Sequence, residues 1–134
     1  MKLINGSRGS GKTHALIKYA YENNCLILTH SHVSARIIKN GAIELKLNIL
    51  EPMTFEEYFD DELFKRKGLA FNRGQFPIVV DELDLCLSNF LGEQIECATG
   101  TIKTIHPTDY LISEHLKRGM LSEDSYYNSL GIWK

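Results

Sequence analysis

"INGSRGSGKTHALI", residues 4–17, decides how the chain is expected to fold. Within it, Gly6-Ser7-Arg8-Gly9-Ser10-Gly11-Lys12-Thr13 fits the pattern G-x-x-x-x-G-K-[ST] at every position. The context is the one that pattern needs. "KLIN" (2–5) ahead of it reads as a short apolar strand, and Ala15, Leu16, Tyr19 and Ala20 behind it recur at helical spacing. Glycines at 6, 9 and 11 let the backbone bend until successive N–H groups converge on one anion, and the helix that follows adds the positive end of its dipole. All eight residues are therefore candidate phosphate binders. Lys12 would bridge the outer phosphates, and the Thr13 hydroxyl would coordinate Mg²⁺.

Working outward, apolar runs of strand length alternate with helical patterns. "CLILTH" (25–30), "LNIL" (47–50), "FPIVVDE" (76–82) and "QIECATGTI" (94–102) read as further strands. Pro77 sits at the entry of the strand at 76–82, where a missing N–H does no harm. Between them, "SHVSARIIKNG" reads as a helix with Ser31 as N-cap and Gly41 as its stop. "TFEEYFDDELFKRKG" reads as one helix opened by a capping box of Thr54 and Glu57. "LDLCLSNFLG" continues from the strand at 76–82 as a helix, and Pro107 opens a last one that runs to Gly119. This rhythm predicts right-handed crossovers and a parallel sheet covered on both faces.

The other decisive stretch is Ile78-Val79-Val80-Asp81-Glu82, an apolar strand that ends in adjacent carboxylates. Parallel strands deliver their last residues to the ligand edge of the sheet. Asp81 is thus expected to hold Mg²⁺ through water. Glu82 is expected to orient or deprotonate an attacking water, the step that separates hydrolysis from binding.

Length and composition bound the possibilities. A chain of 134 residues is the size of one domain, 1–134, and a hydrophobic fraction of 43% with 24% charged residues is that of a globular protein. The net charge of −2 gives no overall pull toward nucleic acid. Cys25, Cys86 and Cys97 are odd in number and lack a CxxC spacing, so they read as buried thiols in a reducing compartment. No apolar run approaches the ~20 residues of a membrane span, and the N-terminus lacks a signal peptide's apolar region. The expected location is cytoplasmic, with no membrane partner.

These motifs resemble the P-loop NTPases, in the branch with an additional strand between the two nucleotide motifs and a glutamate after the magnesium aspartate. The order of elements is similar to the N-terminal motor lobe of superfamily 1 and 2 helicases and of phage terminase large subunits. "CLILTHSHVSAR" is similar to the helicase strand-plus-threonine motif that touches a nucleic-acid backbone, and "NILEPMTFEEYF" sits where the next such motif lies. "CATGT" (97–101) falls where helicases and terminases carry a coupling motif. The form of the loop is especially like that of terminases, which implies a role for Arg8 on the phosphates in cis. The resemblance implies a RecA-like, mostly parallel five-stranded sheet with helices on both faces, and ATP and Mg²⁺ as cofactors. It also implies a DNA-related ATPase of phage or mobile-element type. A helicase or terminase needs a second lobe or a nuclease domain, so a chain of this length is expected to act as a lone lobe with a partner or as a homo-oligomer that supplies an arginine.

The catalytic set is then Lys12, Glu82 and Arg8, although Arg8 could equally decorate the surface. Thr29 and His30 end the second strand, and Thr99 and Thr101 lie in the fifth; each either senses phosphate or satisfies its own strand end. Lys65, Arg66, Lys67 and Arg73, interleaved with Phe64 and Phe71, suit single-stranded DNA or form a solvated loop. Lys117 and Arg118 suit a helix C-terminus or an arginine finger. Tyr126, Tyr127, Ile132 and Trp133 pack on the sheet or meet another subunit. His14, His32, His106 and His115 show no metal spacing. Two rival readings stay open. One is a small nucleotide or nucleoside kinase, which would carry an arginine-rich lid or a cysteine-ligated zinc lasso. The other is a non-catalytic nucleotide-switched module, which would have no need of Glu82.

Overall fold

The computed structural model describes residues 1–7 and 9–111. In chain order its elements are β1 (Lys2–Ile4), α1 (Lys12–Asn23), β2 (Leu26–Thr29), α2 (His32–Glu44), β3 (Met53–Thr54), α3 (Phe55–Phe59), α4 (Asp61–Arg66), β4 (Ile78–Val80), α5 (Leu83–Leu91) and β5 (Lys103–Ile105). Residues 107–111 are again helical. Among the described residues no helix is long and apolar enough to cross a membrane. The chain divides into two compact units, one made of Met1–Leu16 with the chain from Thr99 onward, the other of Ile17–Ala98.

The expected five-stranded RecA-like sheet is not what forms. The strands make two sheets, a pair ordered β1-β5 and a three-stranded sheet ordered β3-β2-β4, and every pairing is parallel. Strand lengths of two to four residues explain part of the difference, since each ladder holds only a few hydrogen bonds. The apolar patterns also overstated burial. Only β2 and the two-residue β3 are buried along their whole length; β1 and β4 leave their first residues exposed, and Ile78 is 38% exposed.

Two strands also lie later in the chain than their patterns suggested. "LNIL" (47–50) forms no strand, because α2 runs past Gly41 to Glu44 and Lys46 then takes a left-handed conformation at φ 57°. Pairing with β2 therefore begins at Met53. Gly41 does not stop α2 because it serves another purpose: a Cβ there would lie 3.1 Å from Ile17 Cδ1, so the missing side chain lets α2 approach α1 closely. "QIECATGTI" (94–102) forms no strand and is almost wholly exposed, Cys97 included, which was expected to be a buried thiol; the strand proper is Lys103–Ile105. Its apolar residues are interspersed with polar ones on both faces, so it lacks the continuous apolar run of a strand buried on both sides.

Local chemistry accounts for the helices. The Ser31 hydroxyl accepts from the Ser34 N–H at 3.1 Å to start α2. The box at α3 is complete, the Thr54 hydroxyl accepting from the Glu57 N–H at 3.1 Å and Glu57 Oε1 accepting from the Thr54 N–H at 3.0 Å. The helix expected from Thr54 onward is broken at Asp60, whose backbone is extended (φ −95°, ψ 118°) and whose Oδ1 accepts from both Glu62 N–H and Leu63 N–H at 3.0 Å. An aspartate is a better N-cap than a helix-interior residue, and here the cap prevails. Leu26, Leu28, Met53 and Tyr58 form a buried cluster in the second unit, with Phe55, Phe64, Leu69, Phe71 and Val80 packed against it.

Candidate nucleotide site

In the first unit, β1 ends at Ile4 and the Asn5 N–H donates to the Ile105 carbonyl at 3.0 Å, the last bond of the ladder with β5. The chain then enters the glycine loop. The Ser10 N–H donates to the Ser7 carbonyl at 3.1 Å, closing a tight turn, and Gly9 and Gly11 take φ of 81° and 92°. Those two angles fall in the left-handed region that glycine reaches without a Cβ penalty. Helix α1 begins at Lys12, and the Ala15 N–H donates to the Gly11 carbonyl at 3.0 Å. Strand, glycine turn and twelve-residue helix thus follow one another as the pattern requires.

Two details bear on what the loop could hold. A Cβ on Gly6 would lie 2.4 Å from Ser10 Oγ and 3.2 Å from Pro107 Cδ, so the loop is closed up against the start of the helix after β5. Ser10 Oγ is buried and has no hydrogen-bond partner. A buried hydroxyl without a partner costs about 1–3 kcal/mol unless something satisfies it. With the loop N–H groups and the start of a helix, this hydroxyl fits an anionic ligand such as a phosphate chain. Arg8, and Lys117, Arg118, Tyr126, Tyr127, Ile132, Trp133 and His115, lie outside the described residues.

In the second unit the acid pair closes β4. The register Leu28↔Val80 sets Asp81 beside Thr29, and the Asp81 N–H donates to the Leu28 carbonyl at 2.8 Å. Asp81 is 9% exposed. Glu82 then leaves the strand in a left-handed conformation (φ 56°, ψ 60°) at the N-cap of α5 and makes no side-chain capping bond to that helix. A non-glycine residue held there stores about 1 kcal/mol or more, a cost that recurs at functional sites. Burial, then the charges of Asp81, Asp84 and Glu82, push the Cys86 thiol up to about 11, so Cys86 stays a neutral thiol, with its Sγ 3.4 Å from the Asp81 carbonyl.

The same edge carries Thr29 and His30. Thr29 is fully buried and its Oγ1 has no hydrogen-bond partner; His30 Nδ1 is likewise buried and unpartnered. His30 Nε2 lies 3.4 Å from Ser34 Oγ, and Asn89 Nδ2 donates to the His30 carbonyl at 3.3 Å, tying α5 to the end of β2. Neither residue satisfies its strand end with its own side chain, the blander of the two readings open for them.

Thr99 and Thr101 are exposed and precede β5. The residues at that strand's carboxyl end are instead His106, Pro107 and Thr108, with His106 Nδ1 accepting from the Thr108 N–H at 3.1 Å. Pro107 as a helix opener was the sequence signal for this position. In the basic segment, Phe64 and Phe71 pack on the core and stack edge-on to each other at 6.3 Å. Arg73 pairs with Asp61 at 2.6 Å and lies over the Phe64 ring, and Lys67 pairs with Glu57 at 2.9 Å. Lys65 and Arg66 are exposed, Arg66 within 3.9 Å of Glu62.

Among the described residues no three His, Cys, Asp or Glu side chains gather into a metal-binding group. Magnesium does not require one, since it keeps several waters and takes one or two protein carboxylates with substrate phosphates. Compared with family models, with curated proteins and with solved structures, the chain gives no significant match.

Proposed function

We propose that the protein binds ATP with Mg²⁺ through Gly6–Thr13 and hydrolyses its terminal phosphate, as a P-loop ATPase. The observation that carries this reading is the glycine turn between β1 and α1, with its left-handed Gly9 and Gly11 and the unsatisfied Ser10 hydroxyl. The loop N–H groups hold the phosphates and Lys12 offsets their charge. Thr13 and Asp81 are the residues that would hold magnesium, which draws charge from the phosphate oxygens. Glu82 takes the proton of the attacking water from its place just after β4, where its side chain makes no capping bond to α5. Turnover rises when a partner or second copy supplies an arginine to the transferred phosphate. A DNA-related role would use the exposed Lys65 and Arg66, since Lys67 and Arg73 are engaged within the fold.

Phosphate release measured for the wild type, Lys12→Ala and Glu82→Gln, with and without single-stranded DNA, tests the reading. Lys12→Ala is expected to lose nucleotide binding, and Glu82→Gln to bind ATP yet lower release by about 10²–10⁴-fold, the worth of a general base. Release that is unchanged in both variants contradicts the proposal, and phosphate appearing on a nucleoside acceptor instead of in solution would favour the kinase reading.

A further inference from the structure

Three strands end side by side in the second unit, and their last residues form a rank across the sheet. Thr54 ends β3, Thr29 ends β2, and Asp81 follows the last residue of β4. Thr29 and Thr54 are register partners, and Leu28↔Val80 carries the same rank on to Asp81. Register partners in parallel strands project to the same face, so Thr29 and Asp81 stand side by side on one face of the sheet, with strands about 4.8 Å apart. The Thr54 hydroxyl is engaged by the Glu57 N–H. The Thr29 hydroxyl is not engaged by anything, although the residue is 0% exposed.

A fully buried threonine with an idle hydroxyl is a poor choice for a core, where valine has the same shape and no polar atom to satisfy. Its position beside a carboxylate gives the oxygen a use. Magnesium surrenders its water reluctantly, and its coordinated waters are strong hydrogen-bond donors. A carboxylate and a hydroxyl on adjacent strands are two acceptors suited to such waters.

We infer that Thr29 is a positioning residue for a hydrated magnesium ion, its Oγ1 accepting from a metal-bound water while Asp81, on the neighbouring strand, carries the opposing charge. This rests on the magnesium–ATP reading above and adds to it a residue outside both nucleotide motifs. Thr29 acts through the water shell, so it governs how tightly the metal is held and not whether the phosphates are gripped.

The test uses the full chain with ATPγS and measures, by calorimetry, nucleotide uptake without metal and the magnesium concentration that half-saturates the complex. Thr29→Val and Thr29→Ser are compared with the wild type, and each is melted without metal or nucleotide. The inference expects Thr29→Val to raise the half-saturating magnesium about tenfold or more, with metal-free nucleotide uptake unchanged, and Thr29→Ser to restore it. It also expects Thr29→Val to melt at the same or a higher temperature, because a methyl replaces an unsatisfied hydroxyl. Wild-type magnesium dependence retained in Thr29→Val overturns the inference and leaves the ATP reading standing. A Thr29→Val variant that melts lower while Thr29→Ser does not shows the hydroxyl to be structural, which also overturns it. A wild type with no magnesium-dependent uptake removes both.

Discussion

The backbone N–H of Asp81 donates to the carbonyl of Leu28 at 2.8 Å, so the ladder between β2 and β4 closes on the residue that carries the acid. That backbone bond fixes where Asp81 leaves the sheet. Asp81→Asn keeps that bond and nearly the same shape, and is expected to leave the melting temperature within a few degrees of wild type. It should raise the magnesium needed for nucleotide uptake, measured by titrating Mg²⁺ against bound ATPγS.

Glu82 is held at φ 56° and ψ 60°, where only glycine rests comfortably. Glu82→Gly is expected to relieve about 1 kcal/mol of strain, part of it offset by the greater freedom of glycine in the unfolded chain. Denaturant unfolding should therefore place Glu82→Gly at or above Glu82→Gln in stability, while both lose phosphate release.

Gly6 faces Ser10 Oγ so closely that a Cβ would stand 2.4 Å away. Gly6→Ala should displace the loop, lower the melting temperature and weaken ATP binding. The collision is mostly with one short side chain, so Gly6→Ala combined with Ser10→Gly is expected to recover part of the lost stability, though the Pro107 contact at 3.2 Å remains. Paired thermal melts read this directly.

Glu57 gives a pH signature. Burial would raise its carboxyl, but the Thr54 N–H and the Lys67 ammonium outweigh burial and hold it below its ordinary value. A carboxyl depressed on folding contributes stability that is fully present above its unfolded value, about 4.3, and is lost as pH falls through the lower folded value. Wild-type stability should thus fall across that acid range, and Glu57→Gln should be less stable at neutral pH with a flatter acid limb. Urea midpoints measured from pH 7 down to pH 3 check the sign.

Much of this was legible in the chain because it is local. The turn at Gly6–Thr13, the cap at Ser31 and the box of Thr54 and Glu57 depend on neighbours a few residues apart, and the structure forms the secondary-structure elements these patterns imply. The sheet was not legible in the same way. An apolar run such as "LNIL" does not say which partner it meets, and periodicity does not show that Gly41 lies inside α2 against Ile17 and not at its end. Asp60 was hidden inside a helical pattern because a mid-pattern aspartate looks like surface until its cap is seen. The glycine-loop residues and Thr29 stand out in the sequence; what sequence could not supply is the absence of any partner for the Thr29 hydroxyl.

The central claim is that the protein takes up a magnesium nucleotide and that this uptake depends on Lys12 and, for its metal, on Asp81. Isothermal calorimetry of ATPγS against the full chain, with Mg²⁺ and with chelator, tests it most directly when repeated on Lys12→Ala and Asp81→Asn. The account predicts magnesium-dependent uptake by the wild type, loss of uptake in Lys12→Ala, and loss of the magnesium dependence in Asp81→Asn. Magnesium-dependent uptake that survives Asp81→Asn unchanged, or no uptake by the wild type, would contradict it.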